Sequence, residues 1–385
     1  MRSKSFLFQP TSSYYLLLVS TAALTGLGLV MVLSASSIHS LETSGSSFSI
    51  FFRQLIFLVI AIPIGLLSSR IPIRTWKLVA RYSFLGSILM LLLLQISGMG
   101  NSVNGNRNWI AFGPVVFQPS EFAKFFMILW AGFMLAKQEE AKKSRSNVIA
   151  VLVPTFFAIM LLVMIGNDLG NAVIFAAILV ALLFVSGIQL RLIGVTGVLG
   201  LSMVAALIIT VPNRMRRLLV VLHPFSPEYY KLSGWQPAHS IMGLASGGLF
   251  GVGLGASRQK WGNLAEAHTD FIFSVIGEEL GLVGTLVVLA LFAILILAIL
   301  RIAICAKDPF VRFVSAGIGC WLAVQVVLNI GSATSLIPVV GVTLPLLSYG
   351  GSSLIATYLA LGFVIGAALR DPVLSPKLAR RKVRK

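Results

Sequence analysis

The sequence predicts an all-α polytopic membrane protein with about ten transmembrane helices and one large, partly membrane-associated external loop between helices 7 and 8. Two observations predict this class. Of the 385 residues, 57% are hydrophobic and only 11% are charged, whereas soluble domains carry about 25% charged residues. Apolar runs long enough to cross a bilayer also recur along the chain. The composition therefore excludes a soluble enzyme, a disulfide scaffold and a disordered chain.

Ten apolar runs approach the roughly 20 residues that a spanning helix needs. The predicted spans are residues 14–34, 51–69, 79–98, 119–136, 148–166, 168–187, 192–211, 271–300, 311–333 and 352–369. They define a single membrane domain over residues 14–369, with an N-terminal tail (1–13) and a basic C-terminal tail (370–385). Because the first run is longer than the apolar core of a signal peptide, we interpret it as a retained helix.

The charge distribution predicts the orientation of the chain. An even number of spans places both termini on one side of the membrane. With the termini in the cytoplasm, 21 of the 30 Lys and Arg residues fall in internal segments, as the positive-inside rule requires. Basic cytoplasmic loops therefore account for most of the net charge of +18, and nucleic acid is not expected as a partner.

Residues 212–270 form a segment between the seventh and eighth spans that this topology places outside. It opens with a basic cluster, Arg214, Arg216 and Arg217, and continues into a Gly-rich apolar run over residues 243–255. Non-helical chain is tolerated at membrane depth only where it is buried in protein or lines a wet cavity. We therefore expect this external loop to fold against the bundle and to carry the chemistry.

Asp270, at the start of the eighth span, is the candidate catalytic residue. A carboxylate at the rim of a helical bundle suits a general base that takes a proton from a hydroxyl. If the helix extends back to Glu266, the two carboxylates share one helical face. The alternative is that Asp270 caps the helix, and the spacing alone leaves both readings open.

Two further pairs of ionisable residues lie within predicted spans. Glu121 and Lys124, one helical turn apart, are most simply a mutual salt bridge; alternatively, Lys124 binds a phosphate and Glu121 orients it. Glu278 and Glu279 lie deeper in the eighth span, where a charge near the bilayer centre costs about 2.5–3.5 kcal/mol. We expect at least one of them to have a partner, in an ion pair or a proton path.

Basic and polar side chains near the external face are candidate substrate contacts, because Arg and Lys in a cleft bind phosphates well. The candidates are Glu121, Lys124, Arg214, Arg217, Arg258, Lys260, His268, Ser348 and Ser352. The alternatives are that external loops tolerate positive charge, and that the Gly/Ser turn containing both serines caps the last span. The sequence contains no Cys/His metal cluster and no nucleotide-binding fingerprint.

Five motifs, in this order, resemble the SEDS family (shape, elongation, division and sporulation), and the division type more than the elongation type. They are Gln118-Pro119-Ser120-Glu121 with Lys124, the run Gly247–Gly255 followed by Arg258-Gln259-Lys260, Ala267-His268-Thr269-Asp270, Gly277-Glu278-Glu279-Leu280-Gly281, and the run Leu344–Ser353. The resemblance covers nearly the whole chain.

The resemblance implies a ten-helix peptidoglycan glycosyltransferase of the bacterial cytoplasmic membrane. Such an enzyme polymerises lipid II into a nascent glycan strand at the division septum, beside a class B penicillin-binding protein (the transpeptidase) and other divisome proteins. It further implies that Asp270 is the essential acid and that Glu121 and Lys124 are functional. No cofactor is certain; a divalent cation could share the charge of a diphosphate, although the sequence shows no dedicated cage for one.

The chain departs from the family pattern at three positions. Asn108 stands where the family usually has Arg, and Arg107 is next to it. Asn167 and Ala265 each stand where the family usually has Pro. None of these changes removes the candidate base, but the last two alter the expected local backbone.

Two competing function classes remain at this point. One is transport, by a lipid II flippase or a proton-coupled carrier that relays charge through Glu121, Lys124, Glu278 and Glu279. The absence of a visible internal repeat and the position of the polar residues at the outer face disfavour it. The other is a structural scaffold of a division complex, in which variants of the catalytic candidates would still support growth.

Overall fold

The computed structural model describes residues 11–95, 100–103, 106–112, 115–141, 146–209, 218–221 and 223–375. Its helices are α1 (Ser12–Ser44), α2 (Ser49–Arg70), α3 (Ile73–Leu93), α4 (Pro119–Glu140), α5 (Ser146–Ile165), α6 (Leu169–Val185), α7 (Leu190–Ile209), α8 (Pro227–Tyr230), α9 (Trp235–Ser246), α10 (Ile272–Cys305), α11 (Pro309–Ala333) and α12 (Gly351–Arg370). Strands β1 (Gly100–Val103), β2 (Asn106–Phe112) and β3 (Val115–Phe117) form an antiparallel sheet in the order β1-β2-β3.

A helix lies over each of the ten predicted spans. Among the described residues, six helices are long and apolar enough to cross a membrane, namely α1, α2, α3, α10, α11 and α12. The ends differ from the prediction: α1 continues ten residues beyond the predicted end at residue 34, through a polar, Ser-rich stretch. Hydropathy marks where a chain leaves lipid, whereas backbone hydrogen bonds decide where a helix stops. Residues 1–10 and 376–385, in the predicted tails, lie outside the described residues.

Close contacts between small and branched residues join α4 to α11. A Cβ on Gly132 would lie 2.5 Å from Val314 Cγ2, and a Cβ on Gly317 would lie 2.7 Å from Ile128 Cγ2. Small residues at such crossings let helix backbones approach closely, which supplies packing energy where lipid offers no hydrophobic drive. The two helices run antiparallel, so the beginning of α4 meets the end of α11. We call this end of the bundle, where α4, α6, α10 and α12 begin, the site face.

The helix α10 is interrupted at Gly281, whose φ of 68° and ψ of −165° are not helical. A helix interrupted within a membrane leaves backbone groups that lipid cannot satisfy. The external loop supplies their partners. The N–H groups of Val252 and Gly253 donate to the carbonyls of Glu278 and Glu279, at 2.9 and 3.1 Å.

The loop also accepts hydrogen bonds from the residues of α10 that follow the interruption. The N–H groups of Leu282 and Val283 donate to the carbonyls of Gly248 and Leu249, at 2.9 and 3.1 Å. These are the groups that two consecutive i→i−4 bonds would have joined in an unbroken helix. The Gly-rich run therefore fills the interruption, and its tight approach needs glycine: a Cβ on Gly247 would lie 1.9 Å from the carbonyl oxygen of Gly277.

The side chains of Glu278 and Glu279 fix the rest of the loop. Both are buried, and both have partners, as expected. Glu278 accepts from Ser257 Oγ at 2.5 Å. Glu279 accepts from Ser34 Oγ at 2.7 Å and pairs with Lys260 Nζ at 3.2 Å. We call these five residues the glutamate cluster. Since it joins α1, the loop and α10, it holds the loop at a single register.

We expect Gly247→Ala to destabilise the protein, because the added methyl group meets a backbone oxygen that cannot move without breaking α10. Overpacking of this kind costs about 1–3 kcal/mol. The thermal unfolding midpoint of the purified chain in detergent measures the effect. Gly86→Ala is the matched control, since a Cβ there meets nothing within 4 Å and alanine favours a helix over glycine. Equal midpoints for the two variants would contradict the packing described above.

Candidate active site

Asp270 lies in a turn that precedes α10 and not on the helix itself. Glu266 has a left-handed backbone, with φ of 58°, and its carbonyl accepts from the N–H groups of Thr269 (3.2 Å) and Phe271 (3.1 Å). The helix begins at Ile272. The helix therefore does not extend back to Glu266, and the condition under which Glu266 and Asp270 would share a helical face is not met, because the chain turns sharply between them. The N-cap residue is Phe271, which makes no side-chain cap bond.

The position of Asp270 is fixed through its backbone. Asn329 Nδ2, at the end of α11, donates to the carbonyl of Asp270 at 2.9 Å and to the carbonyl of Val342 at 2.7 Å. The Asp270 side chain is half-buried and points toward the turn at Gly341, where a Cβ would lie 3.7 Å from Oδ2. Gly341 has a φ of 69°, so glycine both permits the turn and leaves room beside the carboxylate.

Glu121 and Lys124 form a buried salt bridge of 2.6 Å, and their side chains are 3% and 0% exposed. Lys124 Nζ also donates to Gln325 Oε1 at 3.1 Å and lies 5.1 Å from the centre of the Trp321 ring. The salt-bridge reading of this pair is thus confirmed. Glu121 Oε2 is buried and has no hydrogen-bond partner among the described residues, which leaves a polar atom of the site face unsatisfied.

One hydrogen-bonded frame joins Lys124 to Asp270. Gln325 and Asn329 lie one turn apart on α11, and Gln325 Nε2 donates to the carbonyl of Thr343 at 3.0 Å. Asn329 binds the preceding carbonyl, that of Val342, together with that of Asp270. The sequence reasoning missed Gln325 and Asn329. Two carboxamides four residues apart in an otherwise apolar helix are the signal that would have found them.

Ser348 and Ser352 lie at the site face, and both hydroxyls are engaged by backbone. Ser348 Oγ donates to the carbonyl of Thr269 at 2.5 Å and accepts from the N–H of Leu344 at 2.9 Å. Ser352 Oγ accepts from the N–H of Gln118 at 2.9 Å. These bonds tie the segment before α12 to the Asp270 turn and to the start of α4. The two serines therefore shape the site in this conformation.

His268 packs between two aromatic rings near Asp270. Its ring stacks on His39 with centroids 5.4 Å apart and lies 5.6 Å from Tyr349, whose hydroxyl is hydrogen-bonded by Arg53. Burial lowers the pKa of His268 to about 4, and His39 adds to the effect while Glu266 opposes it. The imidazole is therefore neutral at pH 7. Arg53 is a cation of this rim that the sequence reasoning did not single out.

The remaining basic candidates have different surroundings. Lys260 is buried in the glutamate cluster, where Nζ also donates to the carbonyl of Gly255 at 2.6 Å. Arg258 is exposed, and its backbone N–H donates to Glu278 at 2.9 Å. Arg214 and Arg217 lie outside the described residues. Among the candidates whose side chains are described, Arg258 is thus a cation that a substrate phosphate can reach.

The described residues offer no group of three or more His, Cys, Asp or Glu side chains that could hold a metal ion. The donor set therefore does not fit a dedicated divalent-cation cage, and we derive no chemical step through one.

Residues 15–371 match the family model that covers FtsW, RodA and SpoVE, which is described as a cell cycle protein. The chain is 38% identical over 354 residues to a probable peptidoglycan glycosyltransferase FtsW from Geobacter metallireducens, covering 92% of this chain and 94% of the relative. It is 37% identical over 359 residues to stage V sporulation protein E from Bacillus subtilis, covering 93% and 97% respectively.

Solved structures share the fold. One is a chain from a structure that concerns how a peptidoglycan synthase complex coordinates polymerization and crosslinking, with a TM-score of 0.72, 29% identity and coverage of 91% of this chain and 95% of that chain. Another is the rod shape determining protein RodA from Thermus thermophilus, with a TM-score of 0.66, 29% identity and coverage of 91% and 94%. The arrangement of helices is therefore common to this chain and both structures.

We expect Glu121→Gln and Lys124→Met each to destabilise the protein, because each leaves one buried charge without its partner. The cost of breaking such a pair is about 3–5 kcal/mol. The double variant, which removes both charges, should recover much of the lost stability. Thermal unfolding of the four proteins in detergent measures the coupling. Strictly additive losses would show that the two side chains do not stabilise one another.

Protonation of His268 should destabilise the fold at mildly acidic pH. Between the ordinary pKa of 6.5 and the folded value of about 4, the unfolded chain binds a proton that the folded chain does not. The contribution of His268 to stability is therefore full above pH 6.5 and is lost as the pH falls toward 4.

This pH effect is measured as the drop in the unfolding midpoint between pH 7 and pH 5. The groups that face His268 are His39, Tyr349 and Glu266, so a change at His268 alone should reduce the drop without abolishing it. We expect His268→Gln to show a smaller drop than the wild type. His223→Gln, at an exposed histidine of the same loop, should leave the drop unchanged. Identical profiles for both variants would contradict the assignment.

Proposed function

The chain belongs to the family of FtsW, RodA and SpoVE cell cycle proteins, and from this premise we propose that it is a membrane-embedded peptidoglycan glycosyltransferase that polymerises lipid II for septal wall synthesis. The observation that carries the proposal is a half-buried carboxylate, Asp270, at the site face. Its backbone is held by Asn329, on the frame that includes Lys124. A general base for a lipid-anchored sugar needs this combination of fixed position and access to water.

In the proposed reaction, the donor is the growing strand, whose reducing-end sugar is α-linked to a polyprenyl diphosphate. The acceptor is the GlcNAc 4-hydroxyl of a new lipid II. Asp270 takes the hydroxyl proton as the acceptor oxygen bonds to C1 of the donor. The bond between C1 and the diphosphate oxygen breaks, and the diphosphate leaves with the electron pair. Because the acceptor attacks from the face opposite the leaving group, the configuration at C1 is inverted. Inverting glycosidases use a carboxylate base in the same way.

The departing diphosphate gathers negative charge that cations can stabilise in a partly desolvated cleft. Lys124 Nζ is buried and paired with Glu121, so a phosphate in solvent cannot contact it in this conformation. The geometry supports instead a positioning role, in which Lys124 holds Gln325 and through it the Thr343 turn. Arg53 and Arg258 are exposed and are the described cations that we propose for the diphosphate.

The surroundings of the enzyme follow from the same proposal. The polyprenyl chains would lie against lipid-facing helix surfaces, such as that of α2, where Phe52, Ile56 and Val59 are exposed; each buried CH₂ contributes about 0.8 kcal/mol.

We propose that both termini are cytoplasmic and that the partner is a class B penicillin-binding protein, together with other divisome proteins. The similarity to a chain of a peptidoglycan synthase complex supports a partner of this kind.

We expect Asp270→Asn to abolish glycan synthesis while the protein keeps its fold, because the amide retains the shape of the carboxyl group but accepts no proton. The loss of a general base lowers a rate by about 10²–10⁴-fold. The measurement is polymerisation of lipid II by the purified chain together with its candidate transpeptidase, in detergent. Glu42→Gln, at an exposed carboxylate of α1, should leave the rate unchanged.

The same experiment discriminates the competing classes. A transferase lengthens glycan in detergent, whereas a flippase needs two leaflets and makes no polymer. A scaffold also makes no polymer in this assay, and cells would still grow when its candidate base is replaced. Full polymerising activity in the Asp270→Asn protein would therefore reject the general base, and no activity in the wild type would reject the transferase itself.

A further inference from the structure

A cavity of about 730 Å³ lies beside the site and is not used by the mechanism above. One wall is formed by the external loop, including Glu228, Tyr229, Trp235 and Gln236, and the other by the turn after α11, including Val339. The volume falls within the range of about 300–1,000 Å³ that is typical of small-molecule sites. The cavity is thus large enough to hold a ligand rather than a few waters.

Trp235 provides a fixed aromatic surface in this wall. Its indole N–H donates to the carbonyl of Asn263 at 2.6 Å. The His239 ring lies 4.2 Å from it and the Tyr230 ring 5.4 Å, measured between centroids. His239 is itself held between the Tyr230 hydroxyl at 3.2 Å and Gln259 Oε1 at 2.9 Å. Because the ring is held on several sides before any ligand arrives, binding to it would cost little ordering.

The chemistry of the walls favours a sugar over a phosphate. Among the described residues that line the cavity, Glu228 is acidic and Lys231 is basic, so this described lining has no excess of positive charge toward a diphosphate. Trp235 and Tyr229 supply aromatic rings, and Gln236 supplies a carboxamide. A pyranose ring presents C–H groups on its face and hydroxyl and amide groups on its edge. Aromatic rings with polar tips match that pattern.

The cavity is rigidly connected to Asp270. Trp235 begins α9, and five residues further along, Ser240 Oγ lies 2.5 Å from Ser274 Oγ in the first turn of α10. Ser240 also donates to the carbonyl of Ala333, at the end of α11, at 2.5 Å. Five helical residues span about 7.5 Å. On the opposite wall, Val339 precedes by two residues the Gly341 that faces the Asp270 carboxylate.

We propose that this cavity binds N-acetylhexosamine units of the nascent glycan strand, with one sugar ring stacked on Trp235, and so keeps the strand on the enzyme between additions. The inference rests on the proposed function, because it names the part of the polymer that occupies the neighbouring site. The strand, unlike lipid II, has several sugars behind the reacting one, so a saccharide site set back from the base serves the strand and not the acceptor.

The test compares the length of strands made from lipid II by the wild type, Trp235→Leu and Trp261→Leu, each purified with the transpeptidase partner. Trp261 is the matched control, since it lies in the same loop, is 66% exposed and does not line the cavity. We expect Trp235→Leu to shorten the mean strand by about two- to tenfold, the ratio that one lost aromatic contact produces, with a smaller change in initial rate. Trp261→Leu should give strands of wild-type length.

Gln236→Ala, which changes another residue of the cavity wall, is a second test variant if Trp235→Leu fails to fold. We expect it to shorten the strands as well. Direct binding is measured with chitotetraose, a β-1,4-linked GlcNAc oligomer, by saturation-transfer NMR on the Asp270→Asn protein. We expect binding that the additional Gln236→Ala change weakens. Wild-type strand lengths in the cavity variants, or no saturation transfer to chitotetraose, would overturn the inference while leaving the glycosyltransferase intact. A wild type that makes no glycan would instead overturn the proposed function.

Discussion

The structure depends on one constraint, that a helix interrupted at membrane depth must find new partners for its backbone. Gly281 breaks α10 and frees two N–H and two C=O groups. The external loop pairs with all four through Gly248, Leu249, Val252 and Gly253. Unpaired, each such group would cost several kcal/mol in lipid. The interruption and the re-entrant loop are therefore a single feature, and neither is stable without the other.

The re-entrant loop makes it possible to bury the side chains of Glu278 and Glu279, which would be unfavourable without partners. Once the loop has entered, Glu278 and Glu279 receive hydrogen bonds from Ser257 and Ser34 and an ion pair from Lys260. The short upper part of α10 is then held between α1, the loop and α11, and Asp270 sits at its end. Asn329 also binds the backbone carbonyl of Asp270, so the residue that carries the carboxylate has a defined position at the site face.

The buried salt bridge between Glu121 and Lys124 also stabilises the site face. Through Gln325 it supports the turn at Thr343, while Asn329 supports the adjacent carbonyl and Asp270. Two residues one turn apart on α11 thus carry most of the connection between the charged groups. Buried polar frames of this kind specify one arrangement when their members are satisfied. Glu121 Oε2 and Asn329 Oδ1 are buried atoms of this frame that have no hydrogen-bond partner among the described residues.

The sequence by itself determined the membrane class, the approximate positions of the helices and the residues that carry charge, because apolar run length and the cost of buried charge are local properties. It also predicted the salt bridge at helical spacing between Glu121 and Lys124. Only the tertiary structure decided that Glu266 and Asp270 lie in a turn before α10, that Lys260 pairs with Glu279, and that Gln325, Asn329 and Trp235 belong to the site face. Those facts depend on chain turns and on contacts between residues distant in sequence, and no local periodicity encodes which distant groups will satisfy one another.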